Sequence, residues 1–365
     1  MDLIERFPYR PVLRWKGAEK WALETLPADV RDTVHPIIEL RPTSKWRSAA
    51  ATRNVAAFES LVLAINSAVR GPFTLDLGLT APYSSLDPHA VWGMILGVVR
   101  RENIPLVPTI CMRPSPSHVD GIKRVADAVQ TGVCLRLKPL DVFSRPFLEE
   151  LPKLLGTLGM NKNSVDLVVD LEIFDSSQPP LQALMEAFPS LESWRTVTVL
   201  RGAFPDSLQD SPIGTSTIKR ADFVSWRTAF ATQIGVSLMF GDYAVQGGIY
   251  RPISGPINRM AANIRYAIPE KWLICKGEDV FDESGPGFRQ WPALAQLLVE
   301  RKEFSGSSFS AGDEFIAQHS LAFEPTGDAK GWIGAGLSHH LVLTGRQVAS
   351  VAGASRLLAT KTGRV

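Results

Sequence analysis

Val236-Ser-Leu-Met-Phe-Gly-Asp-Tyr243 is a short apolar run that stops at a glycine and hands over an acid and a tyrosine. A buried parallel strand ends in this way when its last residues face a pocket instead of a core. Comparable runs precede it at Pro11–Trp15, Val34–Leu40, Phe73–Gly78, Leu106–Met112, Gly132–Leu137, Val165–Glu172 and Thr196–Gly202. Helix-patterned stretches lie between them, among them Ala18–Leu26, Val55–Val69, Ala90–Arg100, Val119–Gln130, Phe147–Leu158, Leu181–Phe188 and Arg220–Ala231. Asp87 and Pro88 are placed to cap and start the third of these.

Eight strands alternating with helices over short connections predict an α/β chain closed into a (β/α)8, TIM-like barrel. The rival, an open doubly wound sheet, calls for a glycine-rich first turn, and Trp15-Lys-Gly-Ala-Glu19 has none. Gly331-Trp-Ile-Gly-Ala-Gly336 has reversed spacing and follows no strand. The chain therefore reads as one domain over residues 1–365. Its last part, 248–365, is expected to carry a β-hairpin inserted after strand eight, the eighth barrel helix (Trp291–Arg301) and further helices, with a frayed end. The hairpin is read from Asn263–Ile268 and Trp272–Lys276 around Pro269-Glu-Lys271.

Composition narrows the function classes. The 365 residues hold 39 basic and 37 acidic side chains, a formal net charge of +2, which is no nucleic-acid footprint. Cys111, Cys134 and Cys275 lack zinc-ligand spacing, and the first two are expected to be buried thiols in a reducing compartment. No apolar stretch has the length of a signal core or a membrane span, so a cytoplasmic protein without membrane contact is expected.

Several segments are similar to a known family. Tyr9-Arg-Pro-Val-Leu-Arg-Trp-Lys-Gly-Ala-Glu19, His35-Pro-Ile-Ile-Glu39, Phe240-Gly-Asp-Tyr243, Ile264-Arg-Tyr266 with Trp272–Gly277, and Gly336-Leu-Ser-His-His340 with Arg346-Gln347 resemble, in order, the phage-type beta protein family. The resemblance implies a setting near mobile elements and a part in phage–host conflict or antiviral defence. It implies no particular reaction.

Barrel chemistry sits at the C-terminal ends of the strands. Glu39, Asp76, Asp170 and Asp242 are the candidate catalytic acids there, with Glu172 further out on the face of Asp170. Lys16, Arg136 and Tyr243 are the candidate binding residues beside them. Several carboxylates in one mouth need cations, shared protons or a metal, so a divalent metal is a cofactor option. The competing reading of each acid is structural, as a helix cap or a partner of a neighbouring arginine. His339 and His340 stand on a helix about 100° apart, too divergent to ligate one metal together; one is expected to face the site and the other to pack. The arginines around Trp46, Arg41, Arg47 and Arg53, are read as an exposed connection.

Two functions fit these residues. In the first, the barrel is a hydrolase acting on a small phosphorylated or nucleotide-like substrate. In the second, the same mouth binds a ligand, or a protein encoded by a neighbouring gene, without turnover.

Overall fold

The computed structural model describes residues 8–41, 51–79, 88–142, 147–175, 181–186, 188, 190–232, 238–251, 259–321 and 328–361. Asp87, the segment around Trp46 and Arg47, Val236 and Ser237 lie outside the described residues, as do the last four residues of the chain. The chain packs as two compact units: Met1–Trp15, Val34–Arg201 and Trp226–Asp242 form the first, and Lys16–Thr33, Gly202–Ser225 and Tyr243–Val365 the second.

The first unit is the barrel. Strands β1 (Val12–Arg14), β2 (Ile37–Glu39), β3 (Phe73–Asp76), β4 (Leu106–Ile110), β5 (Val133–Leu137), β6 (Val165–Ile173) and β7 (Thr196–Gly202) lie side by side in chain order. The next strand, β8 (Gly214–Lys219), leaves this sheet, and β9 (Leu238–Gly241) completes it beside β7. Closure comes from the residues just before β1. Tyr9 bridges both Val34 and Phe240 in parallel, Arg10 N–H donates to the Phe240 carbonyl at 2.7 Å, and Val12 N–H donates to that of Asp242 at 2.8 Å. The expected (β/α)8 barrel is what forms.

The local causes are plain in the sequence. The run VCLRL of β5 is buried throughout, as a strand covered on both faces must be. The helix Pro116–Val129 starts where the Ser115 hydroxyl accepts the His118 N–H at 3.3 Å, with proline in the first turn. Val119, Ile122, Val125 and Ala126 recur on one face and are buried. It stops at Gln130, whose φ of 54° is left-handed.

In the second unit the expected hairpin is present, as β10 (Ala261–Ile268) and β11 (Lys271–Asp279). It is part of a larger sheet, because β8 adds antiparallel to β11 and gives the order β10-β11-β8. β8 has no signature in the sequence, because Gly-Thr-Ser-Thr-Ile-Lys carries no apolar run; its register against a buried neighbour makes it a strand. One face of this sheet, with Ile264, Tyr266, Leu273 and Cys275, packs against Leu294, Leu298, Ile316 and Trp332 of three helices. Those helices are Trp291–Val299, Ala311–Ser320 and Ala329–Lys361. Trp291–Val299, expected as a barrel helix, thus packs on the hairpin. Gly331–Gly336 lies inside the last helix, where a Cβ on Gly336 would collide with the Arg265 carbonyl. That glycine serves close packing, not a nucleotide. No helix among the described residues is long and apolar enough to cross a membrane.

Candidate functional site at the barrel mouth

Register builds the site. Arg14 on β1 is paired with Glu39 on β2, and Glu39 with Asp76 on β3, so three charged residues occupy one row at the C-terminal strand ends. Arg14 Nε donates to Glu39 Oε2 at 3.1 Å. Arg136, near the end of β5, closes the row into a ring. Its Nη1 lies 2.7 Å from Glu39 Oε1 and 2.6 Å from Asp76 Oδ2, and its Nη2 lies 2.7 Å from Asp170 Oδ2. Its Nε also donates to Asp170 at 2.9 Å. One guanidinium thus holds three carboxylates from three strands, which suits its planar fork of donors.

Two of these acids also fasten their own strand ends. Asp76 Oδ1 accepts the Gly78 N–H at 2.7 Å, and Asp170 Oδ1 accepts the Glu172 N–H at 2.9 Å. The second turn places Glu172 at a φ of 57°, an unusual conformation for a residue other than glycine. Lys138 then extends the network outward, its Nζ 2.7 Å from Asp170 and 3.1 Å from Glu172. Arg136 is 4 % exposed, whereas the side chains of Lys138 and Glu172 are 40 % and 33 % exposed. The ring is a buried platform of two guanidiniums and three carboxylates, and the Lys138–Glu172 pair is its open lip.

A divalent metal does not fit this arrangement, because the Arg136 guanidinium occupies the point where the carboxylates meet. Among the described residues no group of three or more His, Cys, Asp or Glu is placed to hold a metal ion.

A second polar layer lies toward the N-terminal ends of the strands. Asp166, at the start of β6, accepts from Arg195 Nε at 2.8 Å and from the Thr196 hydroxyl at 2.7 Å, with Arg10 Nη1 at 3.7 Å. Arg10 Nη2 donates to Thr74 Oγ1 at 2.5 Å, and His35 Nε2 is 3.4 Å from the same oxygen. Burial alone would raise the Asp166 pKa, but Arg10 and Arg195 overcome it and hold the carboxyl at about 2. Burial, reinforced by Arg10, pushes His35 down to about 3. Cys134, in this layer, is buried as expected and pushed up to about 11; Cys111, just beyond β4, is exposed instead.

The remaining sequence candidates take other positions. Asp242 shares the face of Phe240, which stacks on Tyr9 and meets Trp226 at a tilt, and Asp242 Oδ1 accepts the Tyr9 hydroxyl at 2.8 Å. That bond fastens the closing seam. Lys16 and Tyr243 belong to the second unit, Lys16 exposed ahead of the helix Gly17–Glu24 and Tyr243 buried. His339 and His340 are both buried there. His339 has Nδ1 2.8 Å from Asp313 and Nε2 2.7 Å from the Ala267 carbonyl, while His340 stacks on Trp272. Arg346 fastens the last helix through Asp29 at 3.0 Å. Arg14 is a site residue not among the sequence candidates; its one signal is its place as last residue of β1, level with Glu39. Asp166 is another, marked in the sequence only by alternating in phase with Asp170.

Tyr9, at the closing seam, is also the first residue that the family model described as Beta protein matches, and the match runs through residues 9–346. The chain belongs to the beta protein family. The segments that carried the resemblance place Tyr9 and Asp242 of this family member at the seam and Glu39 in the ring. Its Tyr266, Trp272, His339 and His340 lie in the core of the second unit. No curated protein matches the chain.

Proposed function

We propose that this member of the beta protein family is a hydrolase acting on a small phosphorylated or nucleotide-like substrate at the barrel mouth. The observation that carries the reading is the Lys138–Glu172 pair, half-exposed at 3.1 Å on top of a rigid ring of buried charges. Burying so many ions contributes little to stability compared with apolar packing, so a network of this kind at the strand ends points to function. An anionic group on the substrate would take Lys138 and release Glu172. The released carboxylate, already at the lip, would accept a proton from water as the water oxygen bonds to phosphorus and the ester P–O bond breaks; the proton would then pass to the departing oxygen, leaving alcohol and phosphate. Asp170, held by Arg136, keeps Lys138 in place throughout. The substrate would be met in the cytoplasm.

The test is a turnover screen of phosphomonoesters, phosphodiesters and nucleotides with the wild-type protein and two variants. Glu172→Gln is expected to lower kcat by about 10²–10⁴-fold with little change in KM, and Lys138→Met to raise KM. Unchanged kcat in Glu172→Gln would refute the assignment. A second reading is favoured by one observation: each carboxylate around Arg136 already has a cation. In that reading the mouth recognises a ligand, or a protein from a neighbouring gene in phage–host conflict, without turnover. A stable complex with no product formed would decide for it.

A further inference from the structure

In the second unit, Phe281 and Phe288 are 44 % and 47 % exposed, and they stand together. Their ring centroids lie 6.0 Å apart, edge to face, and Phe288 in turn stacks at 5.8 Å on Trp291, which is buried in the core. Single apolar side chains at a surface are ordinary, but two aromatic rings in contact make a patch with a shape of its own. The segment that carries them, from the end of β11 to the helix Trp291–Val299, is fastened at both ends. Asp279 Oδ1 accepts the N–H groups of Met260 and Phe281 at 3.0 and 3.1 Å, and Val280 N–H donates to the Met260 carbonyl at 2.8 Å. The buried Gln290 side chain accepts the Glu278 N–H at 2.7 Å and donates to the Gly287 carbonyl at 2.7 Å. Rings presented by a fastened loop lose little freedom when a partner covers them.

The same segment is acidic. Residues 278–290 hold Glu278, Asp279, Asp282 and Glu283 against one base, Arg289, in a chain whose formal net charge is +2. Asp279 is engaged with backbone amides and with Arg259 at 3.6 Å. Glu278, Asp282 and Glu283 are exposed, and none of the three meets a cation among the described residues. Two of them converge: a Cβ on Gly285 would stand 3.3 Å from Glu278 Oε2 and 3.5 Å from Asp282 Cβ. Hydrogen bonds from the Ser284 hydroxyl and amide hold the Asp282 carboxyl below its ordinary range, so it stays charged.

We infer that the Phe281–Phe288 patch is a docking surface for a basic segment of another protein, one with apolar side chains to cover the rings and Lys or Arg to meet the carboxylates. Apolar contact supplies the affinity, and charge selects the partner. Arginine suits the surface twice over, since its guanidinium can also lie on the face of a phenylalanine ring. The unpaired carboxylates repel nucleic acid and anionic lipid, which argues for protein as the partner. The surface is independent of the barrel mouth and of any reaction there.

Fluorescence anisotropy of a labelled amphipathic peptide of leucine and lysine, and of its leucine–glutamate counterpart, tests this on the full chain. Wild-type protein is expected to bind the lysine peptide, more weakly as salt is raised, and not the glutamate peptide. Phe281→Ser combined with Phe288→Ser should weaken binding by roughly tenfold or more, as truncating a hot spot does. Glu278→Gln combined with Asp282→Asn should also weaken it while both rings stay in place, and this pair decides the matter if the first variant fails to fold. Failure of the wild type to bind the lysine peptide, equal binding of the two peptides, or wild-type affinity in either folded variant overturns the surface. Sedimentation velocity adds one more arm: self-association of the wild type that the phenylalanine variant abolishes would make a second copy of this chain the occupant, and would overturn the assignment to another protein.

Discussion

At the scale of single residues, Arg136 has the largest share of the barrel mouth. It is 4 % exposed and contacts Glu39, Asp76 and Asp170. Removing it takes the cation from buried Asp76 and leaves Glu39 with Arg14 and Asp170 with Lys138; losing one partner of a buried pair costs about 3–5 kcal/mol in comparable cases. Arg136→Met is therefore expected to unfold at markedly lower urea concentration than wild type. Lys138→Met should cost less than about 1 kcal/mol, because that side chain is 40 % exposed and its ion pairs are screened. Equal losses in the two variants, measured by urea unfolding, would contradict the division into platform and lip. Arg136 was legible in the sequence because a charge inside Val-Cys-Leu-Arg-Leu137 has to meet another charge. Its three partners were legible as acids at strand ends, but not as partners of one guanidinium. The bond from Asp242 to Tyr9 was not legible either, because a strand end alone does not say which side of the barrel wall its last residue faces.

At the scale of elements, the seam between β9 and the segment leading into β1 decides whether the barrel closes. Tyr9 contributes its ring, stacked on Phe240 at 5.8 Å, and its hydroxyl, bonded to Asp242. Gly241 contributes the absence of a side chain: a Cβ there would stand 3.1 Å from the Arg10 carbonyl, from Leu200 Cδ1 and from Thr198 Cγ2. Two of those neighbours are side chains inside the barrel and one is backbone of the opposing segment, so little can give way. Gly241→Ala is expected to lose about 1–3 kcal/mol by overpacking, read as a lowered melting temperature. The strands themselves were legible as elements wherever an apolar run existed. β8 was not, since its pairing with β11 comes from a neighbour more than fifty residues away in the chain and leaves no periodic apolar mark of its own.

At the scale of the whole molecule, the buried layer around Arg10 links stability to pH. His35 titrates near 3 in the folded chain and near 6.5 when unfolded. Between those values the unfolded chain binds the extra proton, so stability is full above about 6.5 and falls as the pH drops toward 3, by several kcal/mol at most. Asp166, held at about 2, adds a loss in the same direction below its ordinary value of 3.8. Urea unfolding at a series of pH values should show the decline, and His35→Gln should flatten it above about pH 4; an unchanged slope in that variant would remove His35 as its cause. Fold class was determined by the sequence alone, because alternating buried strands and amphipathic helices write their periodicity over a few neighbouring residues. Tertiary structure alone decided that Asp242 serves the seam, that both histidines are buried in the second unit, and that Glu39, Asp76 and Asp170 share Arg136. Each of those facts depends on register and closure between distant segments, and a charge carries no local sign of the partner it will meet.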